Sequence, residues 1–434
     1  MNENSQLPND WKRVKLGDLC DKISLNKIKI KQKDYLSEGI YPVVDQGQDL
    51  IGGYYNDEKL VIPNEPPYII FGDHTKIKKY INFKFIAGAD GVKVLKPKEI
   101  IDSKFLYYSL FTIKIEDKGY ARHFQLLEKE LFPLPPKPTQ QAIVSKIEEL
   151  FSELDKGIEQ LKTAQQQLKT YRQSVLKWAF EGRLTNGLNY DPYDLHDDND
   201  LNIAAEPEDV IQKNKKQVNQ KNNLNQGSVK SELPKGWNMV PLKDLAELIT
   251  DGDHQAPPKA REGVPFITIS NVNKASNKID FSNTFSVTNE YYYNLKENRK
   301  PKNGDILYTV TGSFGIPVLV DFDKEFCFQR HIGLIRPLKS TNQKWLYYLL
   351  RSPDVFNQAK DTATGTAQKT VALSSLRNFQ VFSCSIEEQH SIVQAIESRL
   401  TLADKIEESI TQSLQQAEAL RQSILKNAFE GRLV

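Results

Sequence analysis

Basic and amide side chains gather in a few short, turn-rich stretches, where they could grip a phosphate backbone or read base edges. "NKIKIKQK" places Lys27, Lys29, Lys31 and Lys33 at alternate positions, on one face if the segment is extended. Such a ribbon suits phosphate tracking; it equally suits a solvated edge strand that its lysines protect from pairing. "KIKKY" contributes Lys76 and Lys78, and "GYARHF" contributes Arg122 and His123. Further on, "DGDHQAPPKAR" clusters Asp251, His254, Gln255, Lys259 and Arg261. "ISNVNKAS" offers Asn271, Asn273 and Lys274, "FQRHIG" offers Arg330 and His331, and "TGTAQKT" offers Gln368 and Lys369. Side chains of these types make paired hydrogen bonds to base edges. Each stretch taken singly also fits an ordinary polar loop, and only the set points to nucleic acid.

Bond-breaking chemistry finds no comparable support. The sequence has no GxxxxGK[ST] phosphate loop, no HExxH and no Cys/His zinc pattern. "NEPPYII" at 64–70 approaches the Asn/Asp-Pro-Pro-aromatic motif of DNA amino-methyltransferases, but Glu65 stands where the amide or aspartate belongs. No FxGxG-like glycine motif accompanies it, so a turn entering a strand is the better reading. Acid-x-Lys triplets such as Glu116-Asp117-Lys118 arise by chance in a chain that is 26% charged. Cys20, Cys327 and Cys384 are scattered and odd in number, which suits a reducing cytoplasm. No run of some 18 apolar residues is present, and the first ten residues lack the basic and apolar regions of a signal peptide.

Positioning these side chains falls to a repeated frame. "RQSVLKWAFEGRL" at 172–184 returns as "RQSILKNAFEGRL" at 421–433, 249 residues later. Before each copy lie about 35 residues of helical periodicity, opened by "PTQQAIV" and "IEEQHSIV". A weaker echo joins "LPNDWKRVKLGDLCDKIS" from Leu7 to "LPKGWNMVPLKDLAELIT" from Leu233, at an offset of 226. The second insert is therefore 23 residues longer than the first. The order is variable module, constant helix, variable module, constant helix, which implies two related recognition tasks on one frame.

Counting heptads from Ile147 puts Leu154, Leu161, Leu168 and Val175 at the later a positions, a coiled-coil seam. The same frame in the second copy places Ile396, Ala403, Ile410, Ala417 and Ile424 at a, and Ile392, Ile406 and Leu420 among a more mixed d set. The second helix thus reads as a partner for the first. Gly182 and Gly431 follow the periodic runs, where a left-handed C-cap is expected. A helix of some 40 residues spans about 60 Å, so these segments are spacers.

The expected fold class is α+β: two globular recognition modules alternating with two long helices that pair as an antiparallel coiled coil. The expected boundaries are 1–138 and 231–385 for the modules, 139–185 and 386–434 for the helices, and 186–230 for a flexible linker. β-rich runs include "GIYPVVDQG", "YIIFGD" and "GVKVLKP" in the first module, and "VPFITISNV", "GDILYTVTGSFGIPVLV" and "CFQRHIGLIRP" in the second. "DSKFLYYSLFT" and "QKWLYYLLRS" read as corresponding helices. The net charge of +2 is uninformative, but the linker holds eight acidic residues and five lysines. Subtracting it and the two helices leaves the modules near +7 together, a mild basic bias.

Taken together, the duplicated "QQAIVSKIEELFSELD…RQSVLKWAFEGRL" and "EQHSIVQAIESRLTLAD…RQSILKNAFEGRL", the openings "LPNDWKRVKLGDL" and "LPKGWNMVPLKDL", and "TDGDHQAPPK" and "GDILYTVTGSFG" resemble the specificity subunit of type I restriction-modification enzymes. The resemblance spans essentially the whole chain. It implies target recognition domains in the modules and a subunit with no active site and no bound cofactor of its own. It further implies double-stranded DNA as a partner, two modification subunits that methylate adenine with S-adenosylmethionine, and restriction subunits that use ATP and Mg. One departure is "GYARHFQLLEKEL" in the first module, where the second keeps "GTAQKTVALSSL". The readings that compete with it are a coiled-coil scaffold that binds only proteins, and a direct nuclease or methyltransferase.

Overall fold

The computed structural model describes residues 7–26, 28–89, 91–116, 122–184, 234–254, 257–366 and 368–434. The expected linker, Lys27 and Gln255 lie outside the described residues. The chain divides into two compact units, Met1–Thr163 with Ile410–Val434, and Ala164–Ser409. The division cuts across both long helices, Lys137–Phe180 and Ile386–Phe429, each 44 residues and so about 66 Å long. The first begins two residues ahead of the expected boundary. Past their ends Gly182 and Gly431 both adopt φ of 72°, and Arg183 N and Arg432 N donate back to Trp178 O and Asn427 O. That is the expected left-handed cap.

In the first unit an antiparallel sheet runs Cys20–Ile23, Val92–Pro97, Tyr68–Gly72, Lys78–Ile81. Tyr68–Gly72 is buried along its whole length, as a strand covered on both faces must be. A second sheet orders Lys29–Ile30, Ile86–Gly88, Tyr41–Val44 and Gly53–Tyr55, with Val43 opposite Ile86 in a parallel pair. The helix Ser103–Ser109 is capped by Asp102, whose carboxylate accepts from Lys104 N and Phe105 N. The core beneath it takes in Ile143, Val144 and Ile147 from the first long helix and Ile424, Leu425, Ala428 and Phe429 from the second.

The second unit repeats this plan. Its antiparallel sheet runs Ala246–Asp251, Ile332–Pro337, Ile306–Thr309, Pro317–Leu319. A smaller sheet again contains a parallel pair, Phe266 opposite Cys327, but here the pair lies at the sheet's edge. Here the core under the helix Gln343–Leu350 takes Val175, Trp178 and Phe180 from the end of the first long helix and Ile392, Val393 and Ile396 from the start of the second.

The docking contacts correspond residue by residue. Gln140 Oε1 accepts from Asp102 N at 2.6 Å while its Nε2 donates to Pro135 O at 2.9 Å. Gln389 Oε1 accepts from Asn342 N at 2.8 Å and its Nε2 donates to Cys384 O at 3.0 Å. Lys104 reaches Glu148 at 2.6 Å, and Lys344 reaches Glu397 at 2.7 Å. The Phe429 ring sits 4.9 Å from Phe105, and Phe180 sits 6.0 Å from Trp345. Arg421 pairs with Asp155 and lies 4.5 Å over the Phe151 ring; Arg172 pairs with Asp404 at 2.6 Å and Glu407 at 2.8 Å.

Two local expectations need correction. Lys29 sits in a two-residue strand, and the chain then turns through a 3-10 helix at Gln32–Asp34. Lys31 and Lys33 therefore do not continue one extended face. In the second helix Ile406 and Leu420, expected at d, are 42% and 51% exposed. The half-buried column is instead Leu400, Glu407, Leu414 and Arg421, four residues after each a position. The a positions Ile147, Leu168, Val175, Ile396, Ala403, Ile410, Ala417 and Ile424 are buried, and Leu154 and Leu161 are half-buried.

Phe429→Ala would empty a fully buried site and should destabilise the first unit by about 3–5 kcal/mol. Scanning calorimetry reads this as a lowered melting temperature; an unchanged melting profile would contradict the shared core.

Candidate nucleic-acid interface

In the second unit four loops meet at one end of the larger sheet. Val310 N donates to His331 O at 2.9 Å, and Val371 N donates to Val310 O at 2.8 Å. Gly312 N donates to Lys369 O at 2.9 Å, and Thr370 Oγ1 reaches Thr311 Oγ1 at 3.3 Å. Asp253 N donates to Phe328 O at 3.3 Å, so the 251–254 loop joins the same group. Gly252 is required there, because a Cβ would lie 2.0 Å from Phe328 O. These backbone bonds bring His254, Arg330, His331, Gln368 and Lys369 together; all are exposed except His331, which is half-buried. Burial, with Arg330 adding to it, holds the His331 imidazole below its ordinary pKa, so it favours the neutral form.

Neighbouring carboxylates are already engaged. His254 Nε2 lies 2.7 Å from Asp251 Oδ2, and Arg299 spans Asp251 at 3.6 Å and Asp253 at 3.4 Å. Tyr291 OH donates to Asp253, which ties the helix Asn289–Asn294 to the loop. Lys259 opens the strand Lys259–Ala260 and Arg261 follows it; both are exposed, with Lys259 Nζ 5.1 Å over the Phe285 ring. Asn273 and Lys274 are exposed on a separate hairpin, where Asn273 Oδ1 accepts from Ala275 N and Ser276 N.

Asn271 is a correction. Its side chain is buried, accepting from Thr268 N at 2.9 Å and donating to Asn283 O at 3.2 Å. It shapes its turn and is not presented to a ligand.

The first unit uses the same framework. Asp73 N donates to Gly91 O at 2.6 Å, and His123 N donates to Asp73 O at 2.9 Å. Asp73 thus matches Val310, and His123 matches Val371, a core residue. His123 is accordingly 0% exposed, with Nδ1 3.0 Å from Asp73 O, so it is structural and not a surface contact. Asp73 carboxylate also accepts from Phe124 N and pairs with Lys93 at 3.2 Å. Arg122, next to His123, is exposed. Lys76 adopts φ of 58° at a loop tip, while Lys78 is half-buried with Nζ 4.8 Å over the Phe111 ring. Burial and the nearby Lys76 push the Lys78 ammonium below its usual pKa. Exposed Lys29 and Lys31 lie on the smaller sheet and at the turn that follows it.

One contact has no signal in the sequence. The 72–76 turn is bonded to Gln46, which accepts from His74 N at 3.2 Å and whose carbonyl accepts from Thr75 Oγ1 at 2.9 Å. "DQG" carries a turn signal, but nothing in one sequence pairs that turn with residues some thirty positions away. Among the described residues no cluster of three or more His, Cys, Asp or Glu could hold a metal ion.

A family model described as the type I restriction modification DNA specificity domain matches residues 8–163 and 234–416. The EcoBI specificity subunit of Escherichia coli is 29% identical over 311 residues, covering 71% of this chain and 59% of that one. The MjaVIII specificity subunit of Methanocaldococcus jannaschii is 23% identical, covering 99% and 94%. Among solved structures, the HsdS subunit of Thermoanaerobacter tengcongensis superposes with a TM-score of 0.55 at 18% identity, covering 99% of both chains. A chain from a type I R-M system reaches 0.65 at 18% identity, covering 98% of this chain and 99% of that one.

Arg261→Ala and Arg330→Ala should each reduce the slope of log affinity for duplex DNA against log salt by about 0.9, one phosphate contact apiece. Asn271→Ala should instead cost about 1–3 kcal/mol of stability and leave that slope alone. Titrations at several salt concentrations and thermal melts separate the two outcomes; unchanged slopes for both arginines would remove them from the interface.

Proposed function

We propose a function from one premise: the chain belongs to the type I restriction modification DNA specificity family. It acts as the non-catalytic, sequence-specific DNA-binding subunit of a type I complex. Each module reads one half of a split, asymmetric target, and the long helices set the separation and recruit the modification subunits. The observation that carries this reading is the repeat itself. Gln140 and Gln389, Glu148 and Glu397, and Phe180 and Phe429 make the same docking contacts, while the loops built on that frame differ.

The helices pair as an antiparallel coiled coil in this account. Asp155 meets Arg421 and Arg172 meets Asp404, so partner numbers fall along one helix as they rise along the other. Arg172 and Arg421 are equivalent positions, as are Asp155 and Asp404, which is what a pseudo-two-fold repeat requires. Such a repeat offers similar surfaces to the two strands of a duplex. The methyl transfer to adenine, with the base drawn out of the stack, belongs to two modification subunits holding S-adenosylmethionine. Cutting belongs to restriction subunits using ATP and Mg. No helix of the described residues is long and apolar enough to cross a membrane, and we place the complex in the cytoplasm, where its DNA is.

Replacing residues 234–383 with a divergent module should change one half of the methylated motif and leave the other intact. Adding one turn to both helices lengthens the frame by roughly 5 Å. At about 3.4 Å per base pair this should widen the gap between halves by roughly one or two pairs. Sequencing of methylated adenines reads both outcomes; a swap that altered both halves, or an unchanged gap at unchanged efficiency, would contradict the reading.

A further inference from the structure

The loop 45–50 of the first module, "DQGQDL", is held far more firmly than an exposed loop needs to be. Asp45 Oδ1 accepts from Gly47 N at 2.8 Å, and Tyr35 OH donates to Asp45 Oδ2 at 3.4 Å. Lys79, on the strand Lys78–Ile81, is only 4% exposed; it pairs with Asp45 at 3.7 Å and donates to Asp49 O. Burial pushes its ammonium below the ordinary pKa, with Asp45 opposing that. An apolar residue would sit in that strand at lower cost, so the lysine is explained by what it holds. Gly52 N closes the base of the loop on Val43 O at 2.9 Å. The same loop is bonded through Gln46 to the 72–76 turn, beside Asp73 of the shared framework.

On this fixed base Gln48, Asp49 and Leu50 are all exposed, Leu50 at 49%. An exposed large aliphatic beside an exposed amide is an odd choice for a solvated turn. It suits one chemistry well. Glutamine can donate to and accept from the adenine edge, and an aliphatic group can pack on the thymine methyl. A preorganised loop also loses little order on binding.

We propose that loop 45–50 is the base-reading loop of the first module, and that Gln48 and Leu50 select an A·T pair in the half-site it covers. This rests on the DNA-specificity reading above. The departure of "GYARHFQLLEKEL" from the second module's "GTAQKTVALSSL" then has a consequence: with His123 in the core, the first module reads from a different loop on the same framework.

The test uses the full chain with its modification subunits and a library of randomised duplexes, sequenced after selection for binding. Gln48→Ala should lose preference for A·T at one position of one half by about 5- to 150-fold, and Leu50→Ala should weaken the same preference, with the other half unchanged in both. Gln48→Glu, which keeps the shape and removes the donors, should turn that position away from adenine and towards cytosine. Unchanged preference at every position in the Gln48→Ala, Leu50→Ala double variant would overturn the proposal. So would loss of subunit assembly with base preference intact, which would make the loop a protein contact. An unaltered complex that selected no sequence at all would overturn the specificity reading, and this assignment with it.

Discussion

Neither module completes its core alone, and this constraint orders everything else. The first needs Ile143 and Ile147 from the helix that follows it and Ala428 and Phe429 from the end of the other helix. The second needs Ile392 and Ile396 from the helix that follows it and Trp178 and Phe180 from the end of the first. A buried aromatic such as Phe429 or Phe180 carries several kcal/mol of the stability. The glutamines Gln140 and Gln389 are both buried, and each satisfies a loop amide and a carbonyl that would otherwise be orphaned. A docking set this small can be kept while the rest of a module changes.

The loops at the end of each larger sheet rest on a framework that is equally indifferent to side chains. Asp73 and Val310 have nothing in common as residues, yet each donates its N–H to the loop ahead of a core strand and accepts from the segment after the last loop. Because those bonds are backbone bonds, loop sequences can diverge without losing their placement. The two units differ in detail for the same reason. Arg172 engages two carboxylates, whereas Arg421 engages one and covers the Phe151 ring, since Ile158 stands where the second helix has Glu407.

Much of this was legible in the sequence. The repeat located both long helices, the glycine caps fell at Gly182 and Gly431, and the paired "LYY" helices marked the docking elements. Strands such as Tyr68–Gly72 and Ile332–Pro337 followed from their apolar runs. What stayed hidden was non-local. A histidine beside an arginine looks like a surface contact until a backbone bond to Asp73 draws it into the core. Alternating lysines look like a ribbon until the chain turns at Gln32–Asp34. The half-buried column of the second helix includes Glu407 and Arg421, which a search for apolar heptads passes over. The buried Lys79 has no signal at all in a single sequence, because its purpose lies in a loop thirty residues earlier.

The central claim is that one repeated frame carries two different readers. Mapping every methylated adenine in the genome of cells that carry this chain with its modification subunits, against cells lacking it, tests that claim directly. The account predicts a motif that depends on the chain and has two unlike blocks of specified bases separated by a fixed run of unspecified ones. A single uninterrupted block, or a motif that persists without the chain, would contradict it.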